Sequence, residues 1–134
     1  MKKAEEVALF LLRIVTGFIF LIEGSMKLFG WFGGMPGGMH VSLMSQLGAA
    51  GVLEFFGGIL IMLGLFTRPV AFILAGEMAV AYFQAHQPHG ALPPQNGGMP
   101  AVFACFIYLF FAARGGGEWS LDVLFWGKKR DSGQ

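Results

Sequence analysis

GVLEFFGGILIMLGLFTRPVAFILAGEMAVAYFQA, residues 51–85, decides the fold. It holds two apolar runs, Gly51 to Phe66 and Pro69 to Ala85, separated only by Thr67 and Arg68. A helix of a soluble bundle needs a polar face at a period of 3.6, and ILIMLGLF at 59–66 has no polar residue at all. Pro69 suits the first turn of a following helix and disfavours helical conformation at Arg68, so the chain turns abruptly there and the two runs form an antiparallel hairpin. In a bilayer each backbone N–H and C=O must be satisfied within the spanning element, which makes both runs membrane helices.

Working outward, two more runs have the same character, Val7 to Phe29 and Pro100 to Ala113, the second containing VFACFIYLFF at 102–111. The sequence therefore predicts an all-α fold, an integral membrane four-helix bundle with helices at about 7–29, 51–66, 69–85 and 100–113. At about 1.5 Å per residue these runs approach or reach the ~30 Å hydrocarbon thickness. The shorter ones span if flanking residues snorkel or the bilayer thins locally. One domain covers residues 1–134, with a cytoplasmic tail from about 114. The composition agrees: 55% hydrophobic, 15% aromatic and only 13% charged, more apolar surface than a soluble chain of 134 residues can bury. A formal net charge of +1 supplies no basic face for nucleic acid. Cys105 is the single cysteine, so the chain forms no internal disulfide and carries no C-x-x-C chemistry. The basic start and apolar run at the N-terminus imitate a signal peptide. The run is too long, contains Arg13 and Glu23 and ends in no small-residue cleavage site, so an uncleaved helix is expected.

Lys and Arg set the orientation. Lys2 and Lys3 precede the first run, Arg68 lies in the tight turn, and Arg114, Lys128, Lys129 and Arg130 follow the last, while the loops 30–50 and 86–99 contain neither residue type. By the positive-inside rule both termini and the Thr67-Arg68-Pro69 turn face the cytoplasm. Small residues recur at heptad spacing, Gly17 with Gly24, Gly51 with Gly58, Gly57 with Gly64, and Ala71, Ala75 and Ala79 follow at i, i+4, i+8. Such stripes let helix backbones approach closely, and packing is their expected role.

Arg13, Glu23, Lys27, Glu54 and Glu77 fall inside the runs, where a lone charge costs a few kcal/mol, about 3 on insertion scales, so each needs a partner or a function. Counted from the cytoplasmic side, Arg13 lies about 9 Å into its helix and Glu77 about 12 Å into its own. That similarity of depth predicts a structural ion pair, Arg13 with Glu77, fixing helix register. Glu23 and Lys27 share one face near the outer end of the first helix, and Glu54 enters near the outer end of the second. Two carboxylates around one lysine leave an excess of negative charge and favour proton exchange or hydrogen bonding at that place. His86 and Gln84 map to the same outer side, so Glu23, Lys27, Glu54, His86 and Gln84 are candidate ligand-binding residues for a quinone headgroup, with a polar rim as the rival reading. His40, His86, His89 and Met39 are weak candidates for a metal site, since thioethers and imidazoles suit Cu(I) but no thiolate accompanies them and methionine also fills apolar gaps. No metal is therefore assigned.

Three stretches carry a family resemblance. They are R-x3-G-x6-G-x2-K-L-F-G from Arg13 to Gly30, E-x2-G-G-x5-G-L-x-T-R-P from Glu54 to Pro69, and N-G-G with G-G-G-x-W-S-L-D between Asn96 and Asp122. Their order and spacing resemble the DoxX family of four-helix bacterial inner-membrane proteins over nearly the whole chain. The resemblance implies a multi-pass location in the bacterial inner (plasma) membrane and association with redox chemistry. Related proteins serve as the membrane subunit of thiosulfate:quinone oxidoreductase, and others support oxidative-stress or thiol-redox complexes as partner-recruiting subunits. Arg13, Lys27, Glu54 and His86 fall on positions the family commonly fills with polar residues. Glu23 stands where members often have His, and Met99 where an acidic residue often follows N-G-G.

The expected function is an accessory or partner-recruiting membrane subunit of a quinone-linked or thiol/oxidative-stress redox system. Its expected partners are the lipid bilayer and a protein partner or a second copy of the chain, with quinone as the candidate non-covalent ligand. A small transporter, channel or membrane scaffold using the intramembrane charges is the alternative. No catalytic triad, phosphate-binding loop or dinucleotide fingerprint is present, so an autonomous enzyme is not expected.

Overall fold

A computed structural model describes residues 2–38 and 41–127. Among these residues there are no strands. The α-helices are α1 (Lys2–Phe29), α2 (Gln46–Leu63), α3 (Thr67–Ala81), α4 (Pro93–Asn96), α5 (Met99–Arg114) and α6 (Leu121–Trp126). The fold is an all-α membrane fold. α1 and α2 are long and apolar enough to cross a bilayer, and α5 is a shorter apolar helix. The chain divides into two units, Met1–Thr67 with Gly116–Gln134, and Arg68–Gly115.

In the first unit, α1 runs without proline, and its buried positions Leu9, Arg13, Gly17, Phe20 and Gly24 form one stripe. The stripe meets Gly51, Glu54, Gly57, Gly58 and Ile61 of α2. The two helices are antiparallel, with Gly17 beside Gly58 and Gly24 beside Gly51. A methyl group at Gly17 would lie 2.7 Å from the Gly58 carbonyl, and one at Gly58 would lie 2.7 Å from the Leu21 nitrogen. Gly17, Gly24 and Gly58 are thus where backbone touches backbone. α2 begins at Gln46, earlier than the apolar run at Gly51, because the Ser45 hydroxyl accepts a hydrogen bond from the Gly48 N–H at 3.1 Å and caps the helix. It ends in a Schellman turn: Gly64, at φ 70°, donates to the Ile61 carbonyl and Leu65 donates to the Leu60 carbonyl. Phe66 follows with φ 53°, a left-handed conformation rare for a bulky residue.

Asp122 compensates that turn. Its carboxylate accepts from the Phe66 N–H at 2.7 Å and the Thr67 N–H at 2.9 Å, while its own N–H donates to the Gly64 carbonyl at 2.9 Å. The first N–H groups of α3 are thereby capped by a carboxylate from 55 residues further along the chain. The tail expected from about residue 114 therefore contains a helix, α6, anchored by its second residue. Asp122→Ala is expected to lower stability by about 1–2 kcal/mol, the range of a lost N-cap, and Asp122→Asn by less because one acceptor oxygen survives. Chemical unfolding in bicelles measures both.

In the second unit, α3 continues through a π-turn, Tyr82–His86, into a 3-10 turn, Gln87–His89. This extends the helical path past the expected end at Ala85. Arg68 donates to the Ala113 carbonyl at 2.6 Å and the Arg114 carbonyl at 3.3 Å, placing a cation on the carbonyl end of α5. Ala71, Leu74 and Ala75 of α3 are buried, while Phe72 and Ile73 of α3 and Phe103, Phe106 and Phe110 of α5 are exposed. The interior is largely apolar, with Ile61, Tyr108 and Phe111 fully buried, and it is the exposed surface that differs from a water-soluble fold in being apolar too. Arg13, Ser25 and Glu54 are buried, and Phe72 and Phe106 are exposed by about two thirds, 66% and 64%.

Candidate functional site

The antiparallel register of α1 and α2 places Lys27, in the last turn of α1, against Glu54. Lys27 Nζ lies 2.5 Å from Glu54 Oε1, a short charge-assisted hydrogen bond. Both side chains are inside the helix pair, at 12% and 3% exposure. The lysine stem lies over Gly51, where an added Cβ would come 3.0 Å from Lys27 Cβ, so a glycine makes room for the pair. Glu23, one turn back on α1, sits 3.9 Å from Lys27 Nζ with its side chain 51% exposed. Glu23, Lys27 and Glu54 thus converge as one lysine between two carboxylates, one sealed in and one facing outward. Chemically this is a cation that holds one carboxylate in a buried pair and leaves the second, half-exposed carboxylate with oxygens able to accept further hydrogen bonds.

His86 belongs to a different assembly, in the second unit. Its Nδ1 lies 3.3 Å from the Asn96 carbonyl. The buried Asn96 side chain donates to the Tyr82 hydroxyl at 3.0 Å and the Gly90 carbonyl at 3.1 Å, and accepts from the Gly98 N–H at 2.8 Å. Asn96 therefore holds the 86–98 loop together, and Tyr82 and His86 are brought to one side of the π-turn by that loop. Gln84 is exposed in the same turn. Of the candidate metal residues, Met39 and His40 lie outside the described residues, and His89 is exposed. Among the described residues no three of His, Cys, Asp and Glu group as a metal site would require.

Arg13 is a fully buried cation, 1% exposed. Its Nε donates to the Ile61 carbonyl at 2.9 Å and its Nη2 to the Met62 carbonyl at 3.0 Å, both at the C-terminal end of α2. Its Nη1 donates to the Gly116 carbonyl at 2.7 Å and the Trp119 carbonyl at 3.1 Å. A guanidinium has five N–H donors, and carbonyls of Arg13's own unit engage four of them. Asp122 is the carboxylate whose charge acts on it. Glu77, expected as its partner from depth, lies on α3 in the second unit. Sequence reasoning overlooked Asp122 and the carbonyl cage. The signal available for them was the G-G-G-x-W-S-L-D stretch, whose glycines at 115 and 117 adopt φ of 88° and 85° on either side of Gly116, the carbonyl that accepts from Arg13 Nη1.

The DoxX family model matches residues 8–87, the part of the chain that carries α1, the charged cluster and the α2–α3 turn. An uncharacterized protein of Haemophilus influenzae is 40% identical over 87% of this chain and 90% of its own length. Inner membrane protein YqjF of Escherichia coli is 30% identical over 92% of this chain and 96% of its own length. Putative oxidoreductase CatD of Bacillus subtilis is 37% identical over 56% of this chain and 57% of its own length. No solved structure matches significantly. With the family model covering more than half the residues and relatives matching almost end to end, the chain belongs to the DoxX family.

Proposed function

We propose that the protein is an accessory subunit of a quinone-linked redox system in the bacterial inner membrane, and that the cluster Glu23, Lys27 and Glu54 meets the quinone headgroup. The observation that carries this reading is the sealed Lys27–Glu54 pair with Glu23 beside it. A structural pair alone needs one carboxylate, and the second, half-exposed carboxylate is what a ligand or a proton can reach. Reduction of a quinone to a quinol takes two electrons and two protons. A partner subunit would supply the electrons, and the carboxylates would relay protons. The names of two relatives, an inner membrane protein and a putative oxidoreductase, support the location and the redox association. His86 and Gln84, on the π-turn of α3 in the second unit, are candidate ligand residues of that unit by themselves.

Glu23→Gln tests the reading because it leaves the buried Lys27–Glu54 pair intact and keeps shape while removing the charge of the half-exposed carboxylate. Loss of binding of a short-chain ubiquinone analogue by at least about tenfold, equivalent to about 1.4 kcal/mol, with unchanged unfolding in detergent is the expected result. Equal losses of binding and stability would make the cluster a structural clasp. Substrate flux through reconstituted liposomes in the absence of any quinone would instead favour the transporter reading.

The same proposal places both termini in the cytoplasm, following the Lys/Arg distribution. In a Cys105→Ala background, cysteines introduced at Gly38 and Gly90 should react with an impermeant thiol reagent added to intact cells, and one at Ser132 should not. Labelling at Ser132 alone would invert the topology.

A further inference from the structure

We infer that α6 is an interfacial anchor, a short helix that lies in the headgroup layer and binds an anionic lipid surface. The inference starts from where α6 is tied. Asp122, its second residue, is fixed by backbone hydrogen bonds to Gly64, Phe66 and Thr67, immediately past the C-terminal end of α2. Since α2 is a membrane helix, that turn marks the edge of the hydrocarbon. A helix of six residues is about 9 Å long, and the headgroup layer is about 5–8 Å thick on each side. α6 therefore cannot reach past the interface into bulk water by much, whatever its direction.

Its side chains suit that layer. Trp126 packs on Phe66 with ring centroids 5.3 Å apart, and Trp119, just before α6, packs edge-on against Phe10 at 5.2 Å. Both tryptophans nevertheless remain nearly half exposed, at 47% and 46% for Trp119 and Trp126, and Leu124 and Phe125 are exposed further. A segment in water would turn these groups inward. Here the Asp122 side chain is hydrogen-bonded into the protein, while Leu124 and Phe125 are exposed. Aromatic rings with one polar edge favour the membrane–water boundary, and a short amphipathic segment lies in its plane. The sequence then continues Lys128-Lys129-Arg130, three consecutive cations directly after the aromatic patch. Cations adjacent in sequence to an interfacial apolar segment are complementary to acidic headgroups. That combination selects a lipid surface over a protein partner.

The test uses the full-length protein with Trp31→Phe and Trp119→Phe, so that Trp126 is the sole tryptophan. It is reconstituted in phosphatidylcholine vesicles with or without phosphatidylglycerol, and helicity by circular dichroism verifies folding. Lipids brominated near the carbonyl end of the acyl chain should quench Trp126 more strongly than lipids brominated near the methyl end. Phosphatidylglycerol should reduce its accessibility to acrylamide at least about twofold, and this increment should vanish in the Lys128→Gln/Lys129→Gln/Arg130→Gln variant. Full quenching by acrylamide with none by brominated lipid would place α6 in water and overturn the inference. Protection from both quenchers would mean that protein covers the patch, which also overturns it. Lipid quenching that ignores phosphatidylglycerol would overturn the anionic partner.

Discussion

Replacing Arg13 with leucine should destabilise the protein by about 3–5 kcal/mol, the cost typical of stripping one partner from a buried charged network. The substitution removes four hydrogen bonds from one side chain, and the carbonyls of Ile61, Met62, Gly116 and Trp119 lose a donor in a place where water is scarce. It also leaves the Asp122 carboxylate without the cation that acts against it. Arg13→Lys should recover only part of the loss. An ammonium on a flexible stem is a point charge with three donors and cannot spread over carbonyls from two separate segments as a planar fork does. Unfolding of the purified variants by SDS titration in bicelles reads both effects. A double-mutant cycle with Glu77→Leu separates the carbonyl cage from the ion pair expected from depth. Effects additive within about 0.5 kcal/mol assign Arg13 to the cage alone, and coupling above about 1 kcal/mol assigns the Glu77 carboxylate a share.

The second large effect belongs to the glycines between α1 and α2. Gly24→Ala would set a methyl carbon 2.8 Å from the Gly51 carbonyl oxygen and closer still to the Phe55 backbone. Gly58→Ala would set one 2.7 Å from the Leu21 nitrogen. Backbone cannot rotate aside as a side chain can, so the helices must separate, at about 1–3 kcal/mol for each substitution. Separation also lengthens the Lys27–Glu54 contact, so the loss of stability should be accompanied by weaker quinone binding if the proposed site is the cluster. Gly76→Ala provides the opposite sign. Nothing lies within 4 Å of a Cβ at that position, and the better helix propensity of alanine should raise stability by up to about 1 kcal/mol. If all three variants behaved alike, helix propensity and not close approach would govern them.

These two predictions mark what the sequence makes legible. Four apolar runs are readable because hydropathy over some 16 residues outweighs local detail, and the described helices carry those runs. The meeting of Glu23, Lys27 and Glu54 is readable too, since two of them share a helix face and the third enters from the same end. Ser45 shows why boundaries are harder: a polar N-cap starts α2 before its apolar run begins. Arg13 shows a deeper limit. Depth can be counted from a helix end, but four hydrogen bonds of Arg13 go to main-chain oxygens, and every residue has one. Only the conformation of the Gly115–Gly117 turn and of the Schellman turn decides which oxygens converge. His86 illustrates the same point, because Asn96, ten residues on, governs its setting through a loop with no regular period.

The Arg13 cage has a consequence for how the chain is made. Arg13 emerges early from the ribosome, but its acceptor at Gly116 is 103 residues downstream and that at Trp119 is 106. At roughly 5–20 residues per second, about 5–20 s separate the synthesis of donor and acceptor. During that interval the first helix has an incompletely satisfied guanidinium at membrane depth, and it must wait beside the insertion machinery, or in a locally hydrated defect, until the last segment arrives. Biogenesis should therefore end with a locking step. A chain truncated before Gly116 would insert its helices yet remain marked by that waiting cation for quality-control proteolysis.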